Sequence, residues 1–214
     1  MPSVDVLIAF TFAALLMNIS PGPSNLYVIA RSIAQGTLGG LVAAMGLAVG
    51  SMVHVIATVL GLSVIFSQSP TVYLIVKLLG AAYLIYLGIN YWRASNKGHK
   101  QTVKAVTKKP LLSVFYESIV VEVTNPKTAL FFIALLPQFV SPEAGPIAMQ
   151  FLVLGLIVTL SAIPCDILVA VSASKAARWL LSNQRAQQIQ ERLSGSMLMA
   201  MGAYIVADET TSYI

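Results

Sequence analysis

Six long apolar stretches dominate the sequence and limit what the chain can fold into. They run roughly over residues 4–30, 38–66, 70–92, 113–137, 147–171 and 193–207. Most are longer than the ~20 residues that a helix rising ~1.5 Å per residue needs to cross a bilayer. Only 10% of the residues are charged, whereas a soluble domain carries about 25%. The sequence therefore predicts an all-α integral membrane protein with six transmembrane helices.

The basic residues between these stretches predict how the helices are oriented. Arg31 lies in the first connection, and clusters of Lys and Arg lie at 93–109 and 175–192. The connections around 67–69 and 141–146 contain neither Lys nor Arg. Because cytoplasmic loops are enriched in basic residues, we expect the odd-numbered loops to be cytoplasmic and both termini to lie outside. The net charge of +5 is then explained by the basic residues of the cytoplasmic loops. It does not indicate nucleic-acid binding, and no nucleic-acid partner is expected.

The second half of the chain repeats features of the first. A glycine pair ten residues apart occurs at Gly36 and Gly46 and again at Gly145 and Gly155. A unit of three membrane-spanning helices starts on one side of the membrane and ends on the other. Its second copy must therefore enter the membrane from the opposite side. The sequence thus predicts two inverted three-helix repeats. The predicted units are a first repeat at 1–94, a basic cytoplasmic linker at 95–112 and a second repeat at 113–214.

Two breaks that contain proline interrupt the first and fourth helices, at 20–23 and at 124–127. Proline removes a backbone donor, and backbone groups freed in lipid must find partners or line a polar cavity. A kink satisfied by neighbouring side chains is the structural alternative. Transporters with inverted repeats bind substrate near the midplane, where helices are broken. The predicted substrate-binding residues are therefore Asn18, Ser20, Pro21, Gly22, Pro23, Asn25, Asn125, Pro126 and Lys127.

Ionisable side chains inside the apolar stretches are the candidates for energy coupling. Glu122, Lys127 and Asp166 lie where a charge is costly and is by default functional. The chain has no P-loop for a nucleotide, so we expect proton coupling through Asp166. Glu122 is the second candidate, because its closeness to Lys127 along the chain favours a fixed pair, and a pair that only locks helices together is the alternative. His54 is either part of a polar site or an interhelical hydrogen-bonding residue.

Several other functional classes do not fit the sequence. The single cysteine, Cys165, excludes a redox carrier that exchanges a cysteine pair. The two histidines form no cluster for a transition metal, and no nucleophile–base constellation indicates an enzyme. No metal or cofactor is therefore expected. A channel-like pore, or an exporter of another small solute or cation, stays open as an alternative.

Four motifs together resemble those of a known family. They are Ser-Pro-Gly-Pro at 20–23, Lys77 with Gly80-Ala81-Ala82-Tyr83-Leu84, Asn125-Pro126-Lys127, and Pro137-Gln138-Phe139. With these, nearly the whole chain resembles the LysE/RhtB family of bacterial amino-acid exporters, in particular its homoserine/threonine branch. The resemblance implies export of small amino acids or derivatives, such as threonine, homoserine, leucine or lysine, from the cytoplasm across the bacterial inner membrane. It also implies proton antiport. Homo-oligomerisation stays open.

Overall fold

The computed structural model describes residues 2–20, 22–97, 106–172 and 183–211, and every regular element among them is helical. A π-helical turn spans residues 58–62, and another spans residues 131–135. Short 3-10 segments cover 136–139 and 142–144. The α-helices are α1 (Val4–Ile19), α2 (Pro23–Ala57), α3 (Ser63–Gln68), α4 (Pro70–Lys97), α5 (Leu111–Val123), α6 (Pro126–Leu130), α7 (Ile147–Ser172) and α8 (Gln184–Thr211).

Local sequence explains where the broken helices begin. Ser3 caps α1 by accepting a hydrogen bond from the backbone N–H of Val6. Pro23 and Pro126 occupy the first turns of α2 and α6, where a missing N–H costs nothing. The Asn125 side chain caps α6 by accepting from the Lys127 N–H at 3.0 Å. The prolines of the two breaks therefore end one helix and start the next.

Three helical segments are long and apolar enough to cross a membrane within the described residues. They are Pro23–Phe66, Leu74–Asn96 and Ile147–Ser172. A fourth is the pair Leu111–Val123 and Pro126–Phe139, which is bent by 41°. The predicted all-helical membrane character is confirmed, but fewer than six separate spans are distinguished. One reason is that only a kink at Gly36 interrupts the helical residues that follow Pro23, so no loop separates the end of the first predicted stretch from the second.

The chain changes direction inside this long segment at Gly36, which has a φ of 76°. Gly145 has a φ of 115° and lies just before α7. Residues with a Cβ rarely adopt such angles. These are the two glycines that the sequence pairs across the halves, and both immediately precede the second long helix of their half.

Close helix contacts hold the bundle together at small residues. The helix α2 packs against α5 and α7, α1 packs against α7, and α4 packs against α8. A Cβ on Gly46 would lie 2.6 Å from the Ser118 Cβ, and one on Gly195 would lie 2.7 Å from the Gly88 carbonyl oxygen. Glycine therefore sets the helix spacing, as in other membrane bundles.

A polar layer separates two apolar clusters along the bundle. On α2, Leu47 belongs to one cluster and Val55 to the other, and the buried Ser51 lies between them. Ser51 bonds Thr159 of α7 at 2.8 Å. The larger cluster surrounds Phe10 and the smaller one surrounds Val28. The polar layer contains the two helix breaks.

Candidate functional site

The two breaks lie in direct contact, although more than one hundred residues separate them along the chain. The Lys127 ammonium donates a hydrogen bond to the Ser20 carbonyl oxygen at 2.5 Å. Asn125 Nδ2 donates to the Ser24 hydroxyl at 2.7 Å. A Cβ on Gly22 would lie 3.1 Å from Lys127 Cδ, so the lysine stem passes over the first break. The two breaks, which supply the predicted substrate-binding residues, are thus in contact with each other.

Side chains satisfy the backbone carbonyls that the breaks set free. Pro126 has no N–H for the Glu122 carbonyl, which instead accepts from Asn125 N and from His54 Nε2, both at 3.0 Å. At the first break, Asn25 Nδ2 donates to the Asn18 carbonyl at 2.9 Å. Freed carbonyls need such partners in lipid. Each break is therefore stabilised by polar groups, and His54 links the first half of the chain to the second.

The Glu122 carboxylate is held by neutral donors. It accepts from the Ser24 hydroxyl, from Thr128 Oγ1 at 2.8 Å and from Asn125 Nδ2 at 3.4 Å. Among the residues the structure describes, no carboxylate comes within the 4.0 Å of an ion pair with Lys127. The fixed Glu122–Lys127 pair that the sequence suggested is therefore absent from this conformation.

Asp166 differs from Glu122 in its surroundings. Its side chain is 8% exposed and lines the same polar cavity as Glu122 and Lys127. Within the described ranges no group donates a hydrogen bond to its carboxylate. Lys127 likewise uses one of its three N–H donors, on Ser20. The Asp166 carboxylate and the Lys127 ammonium therefore face the same cavity, and each can form further hydrogen bonds.

This polar cavity has a volume of about 30 Å³. A water molecule needs roughly 10–15 Å³ measured this way, so a cavity of about 30 Å³ is too small for an amino acid. The site must therefore widen before an amino acid can bind. Its polar lining residues are Asn18, Ser24, Asn25, Ser51, Glu122, Asn125, Lys127, Thr128 and Asp166.

The remaining predicted site residues include one that joins two helices, one that lies outside the cavity lining and one that the structure does not describe. Asn18 donates to the Val158 carbonyl at 3.2 Å and to Ser161 Oγ at 3.0 Å, which ties α1 to α7. His54 stacks on Phe132 with 5.6 Å between ring centroids and is outside the cavity lining. Pro21 lies outside the described residues, as do the basic loop segments 98–105 and 173–182. In the ranges that are described, no group of three or more His, Cys, Asp or Glu side chains could hold a metal ion.

A charged network beside the site was not predicted. Arg31, which the sequence assigned to a connecting loop, lies inside α2 and is 3% exposed. Its guanidinium bonds the Glu117 carboxylate at 2.6 Å, the Tyr27 hydroxyl at 3.1 Å and the Thr107 carbonyl at 3.1 Å. Glu117 also pairs with Lys109 at 2.5 Å. The helix continues through Arg31 because this side chain is buried between helices and not exposed to water.

Gln35 extends the network to the linker. Its side chain donates to the Lys109 carbonyl at 2.9 Å and accepts from the Lys109 N–H at 3.2 Å. Tyr27, Arg31 and Gln35 are spaced four residues apart, which places them on one helix face. That spacing is the signal in the sequence from which the network was predictable.

Comparisons with known proteins point to a known family. The family model of the LysE type translocators matches residues 15–209. The homoserine/homoserine lactone efflux protein of Salmonella typhimurium is 32% identical over 203 residues, which cover 93% of this chain and 95% of that protein. The corresponding protein of Salmonella typhi gives the same values. A membrane protein of Vibrio cholerae is 31% identical over 208 residues, with 93% and 95% covered. No solved structure matches the chain. The chain therefore belongs to the family of LysE type translocators and is a membrane transporter.

Proposed function

We propose that the protein exports small amino acids or close derivatives, of the homoserine and threonine class, across the bacterial inner membrane. The observation that carries the proposal is the polar cavity at the junction of the two helix breaks. One ammonium and two carboxylates face this cavity, and apolar clusters lie on either side of it. A zwitterion needs such complementary charges in a place from which water is excluded.

Lys127 and Asp166 are the proposed partners of the two ends of the substrate. The substrate carboxylate binds the remaining N–H donors of Lys127 and the N-terminal amides of α2, where the helix dipole favours an anion. The substrate ammonium binds Asp166, whose carboxylate receives no hydrogen bond from the described residues. The remaining predicted residues of the breaks shape and brace this site.

The energy source we propose is the proton gradient, through antiport. Asp166 is the proposed coupling residue, because its carboxylate can hold either a proton or the substrate ammonium. Glu122 is the less suitable candidate, since three neutral donors already occupy its oxygens. Because the Asp166 carboxylate would bind either a proton or the substrate ammonium at one time, proton entry would be coupled to substrate export.

We further propose six membrane spans in two inverted repeats, at 1–94 and 113–214, joined by the linker 95–112. In that arrangement α1 with the first part of α2 forms one broken span, and Leu111–Phe139 forms its counterpart. The similar positions of Gly36 and Gly145 support this reading. With the basic loops inside, the Arg31–Glu117–Lys109 network lies between the cavity and the cytoplasm. We propose that this network closes the cytoplasmic path in this conformation and opens when substrate enters.

Counterflow in proteoliposomes tests the function. Vesicles preloaded with unlabelled homoserine or threonine should accumulate the radiolabelled amino acid transiently, and Lys127→Met should abolish this accumulation. Lys108→Met, at an exposed lysine of the linker, is the matched control and should keep it. Failure of every amino acid in a panel to show counterflow, with correctly inserted protein, would contradict the proposal. Non-saturating flux without counterflow would instead identify a pore.

A further inference from the structure

A second cavity, of about 190 Å³, lies next to the polar one. It is bounded by α1, α4, the segment 126–135 and one residue of α8. Most of its surface is aliphatic or aromatic, from residues such as Leu16, Leu84, Leu87 and Leu135. Lys127 and Met17 line both cavities. We refer to this space as the apolar chamber.

The polar end of the apolar chamber contains groups that are incompletely satisfied. Ser20 is 4% exposed, and its hydroxyl has no hydrogen-bond partner in the described part of the chain. A buried hydroxyl without a partner is uncommon and costly. Lys127, beside it, donates to the Ser20 carbonyl. This end is therefore suited to a polar ligand group, and the rest of the chamber is not.

We propose that the apolar chamber receives the side chain of the transported amino acid. This inference rests on the proposed function, since it places the amino and carboxyl groups at the junction beside Lys127. An apolar cavity of about 150 Å³ lined by aliphatic and aromatic residues binds benzene, so the chamber accommodates a branched aliphatic or a phenyl side chain. The substrate range then extends from homoserine to amino acids with larger apolar side chains, and the larger ones bind better.

The size of the preference follows from the cost of a missing methylene group. In an apolar pocket one methylene changes discrimination by roughly 10-fold or more. Leucine should therefore compete with labelled homoserine at least about 10-fold better than alanine does. A site restricted to the 30 Å³ polar cavity would give the opposite order, because larger side chains would be excluded.

Filling the chamber tests the assignment. Leu87 is half-buried and lines the chamber, so Leu87→Trp should raise the KM for leucine by about 10-fold or more and raise the KM for homoserine by much less, because the homoserine side chain fills less of the chamber. Leu87→Ala, which enlarges the space, should favour phenylalanine over leucine. Leu79→Trp is the matched control, because Leu79 lies on the same helix but is 66% exposed. Counterflow in proteoliposomes with alanine, homoserine, leucine and phenylalanine measures all three variants.

The outcomes separate this inference from the proposed function. If homoserine is exchanged but competition does not depend on side-chain size, the chamber is not a substrate subsite while the export function stands. If Leu87→Trp removes exchange of all four amino acids in protein that still inserts, the chamber is a structural or lipid-filled space and the inference is overturned. If no amino acid is exchanged by the unmodified protein, the proposed function itself fails.

Discussion

Replacing Glu117 with glutamine should open the polar cavity towards the cytoplasm. Glu117 joins Arg31 of α2 to Lys109 of the linker, at 2.6 Å and 2.5 Å. The glutamine keeps the size of the side chain but loses the charge on which both bonds depend. Arg31 is 3% exposed and keeps only neutral partners in the variant, namely Tyr27, Gln35 and the Thr107 carbonyl.

The magnitude follows from the kind of bond that is lost. A hydrogen bond to a charged group contributes about 1.5–3 kcal/mol. Glu117 is 37% exposed, so water screens the pair and about 2 kcal/mol is a reasonable value. If this energy favours the closed conformation alone, its loss raises the ratio of open to closed protein by roughly 30-fold.

A cysteine in the cavity reports the open fraction. Ala162 lines the polar cavity, and Cys165 is the single native cysteine, so the reporter is Ala162→Cys combined with Cys165→Ser. A small thiol reagent is added to inside-out vesicles, and the labelling rate is compared with and without Glu117→Gln. We expect labelling to accelerate by up to about 30-fold.

Two controls make the result specific to the ion pair. Lys108→Gln, at an exposed position of the same linker, should leave the labelling rate unchanged. Arg31→Gln should also accelerate labelling, and the double variant should go no further than Glu117→Gln, because Glu117→Gln by itself already loses both the Arg31–Glu117 and the Lys109–Glu117 bonds. Equal labelling rates for Glu117→Gln and the unmodified reporter would refute the assignment of this network as the cytoplasmic closure.

Three further predictions concern coupling, the helix break and packing. Asp166→Asn should retain homoserine exchange between equal compartments but lose export driven by a pH gradient. Asp5→Asn, at an exposed position, is the control and should keep both activities. Gradient-driven export by Asp166→Asn at the normal rate would show that Asp166 is not the coupling residue. Pro126→Ala restores a backbone N–H for the Glu122 carbonyl, so we expect the break to straighten and counterflow to fall at least about 10-fold; unchanged counterflow would mean that the break is not needed. Gly46→Val places side-chain atoms against Phe115 and Ser118 and should destabilise the bundle by about 1–3 kcal/mol. The measurement is the thermal unfolding midpoint in detergent, which should fall. Gly61→Val, where nothing lies within 4 Å, is the control and should have a much smaller effect.

The sequence predicted the helix breaks well because proline acts locally. Pro23 and Pro126 lack the N–H that an uninterrupted helix needs, and the structure starts a helix at each of them. Gly36 and Gly145 were recognised from the sequence as members of a repeated glycine pair, and the structure shows that both positions need a φ that glycine tolerates. These features depend on a few neighbouring residues, and a single sequence contains that information.

Pairings across the bundle were predicted less well because they depend on tertiary packing. Glu122 and Lys127 are close along the chain, but the break at Asn125 directs the Lys127 side chain to the Ser20 carbonyl of the other half. Arg31 appeared to be a loop charge because it follows an apolar run, whereas burial beside Glu117 keeps it helical. The apolar chamber has no sequence signature, since its walls come from four separate segments.

Substrate protection of the cavity tests the central claim most directly. The amino acid is proposed to bind where the two breaks meet, between Lys127 and Asp166. In the Cys165→Ser background, saturating homoserine should slow labelling of Ala162→Cys by about 10-fold or more, as expected for an occupied site. A cysteine at Leu168, which is on the same helix and 67% exposed, should be labelled at the same rate with and without homoserine. Equal labelling of Ala162→Cys with and without homoserine, in protein that still exchanges homoserine, would contradict the account.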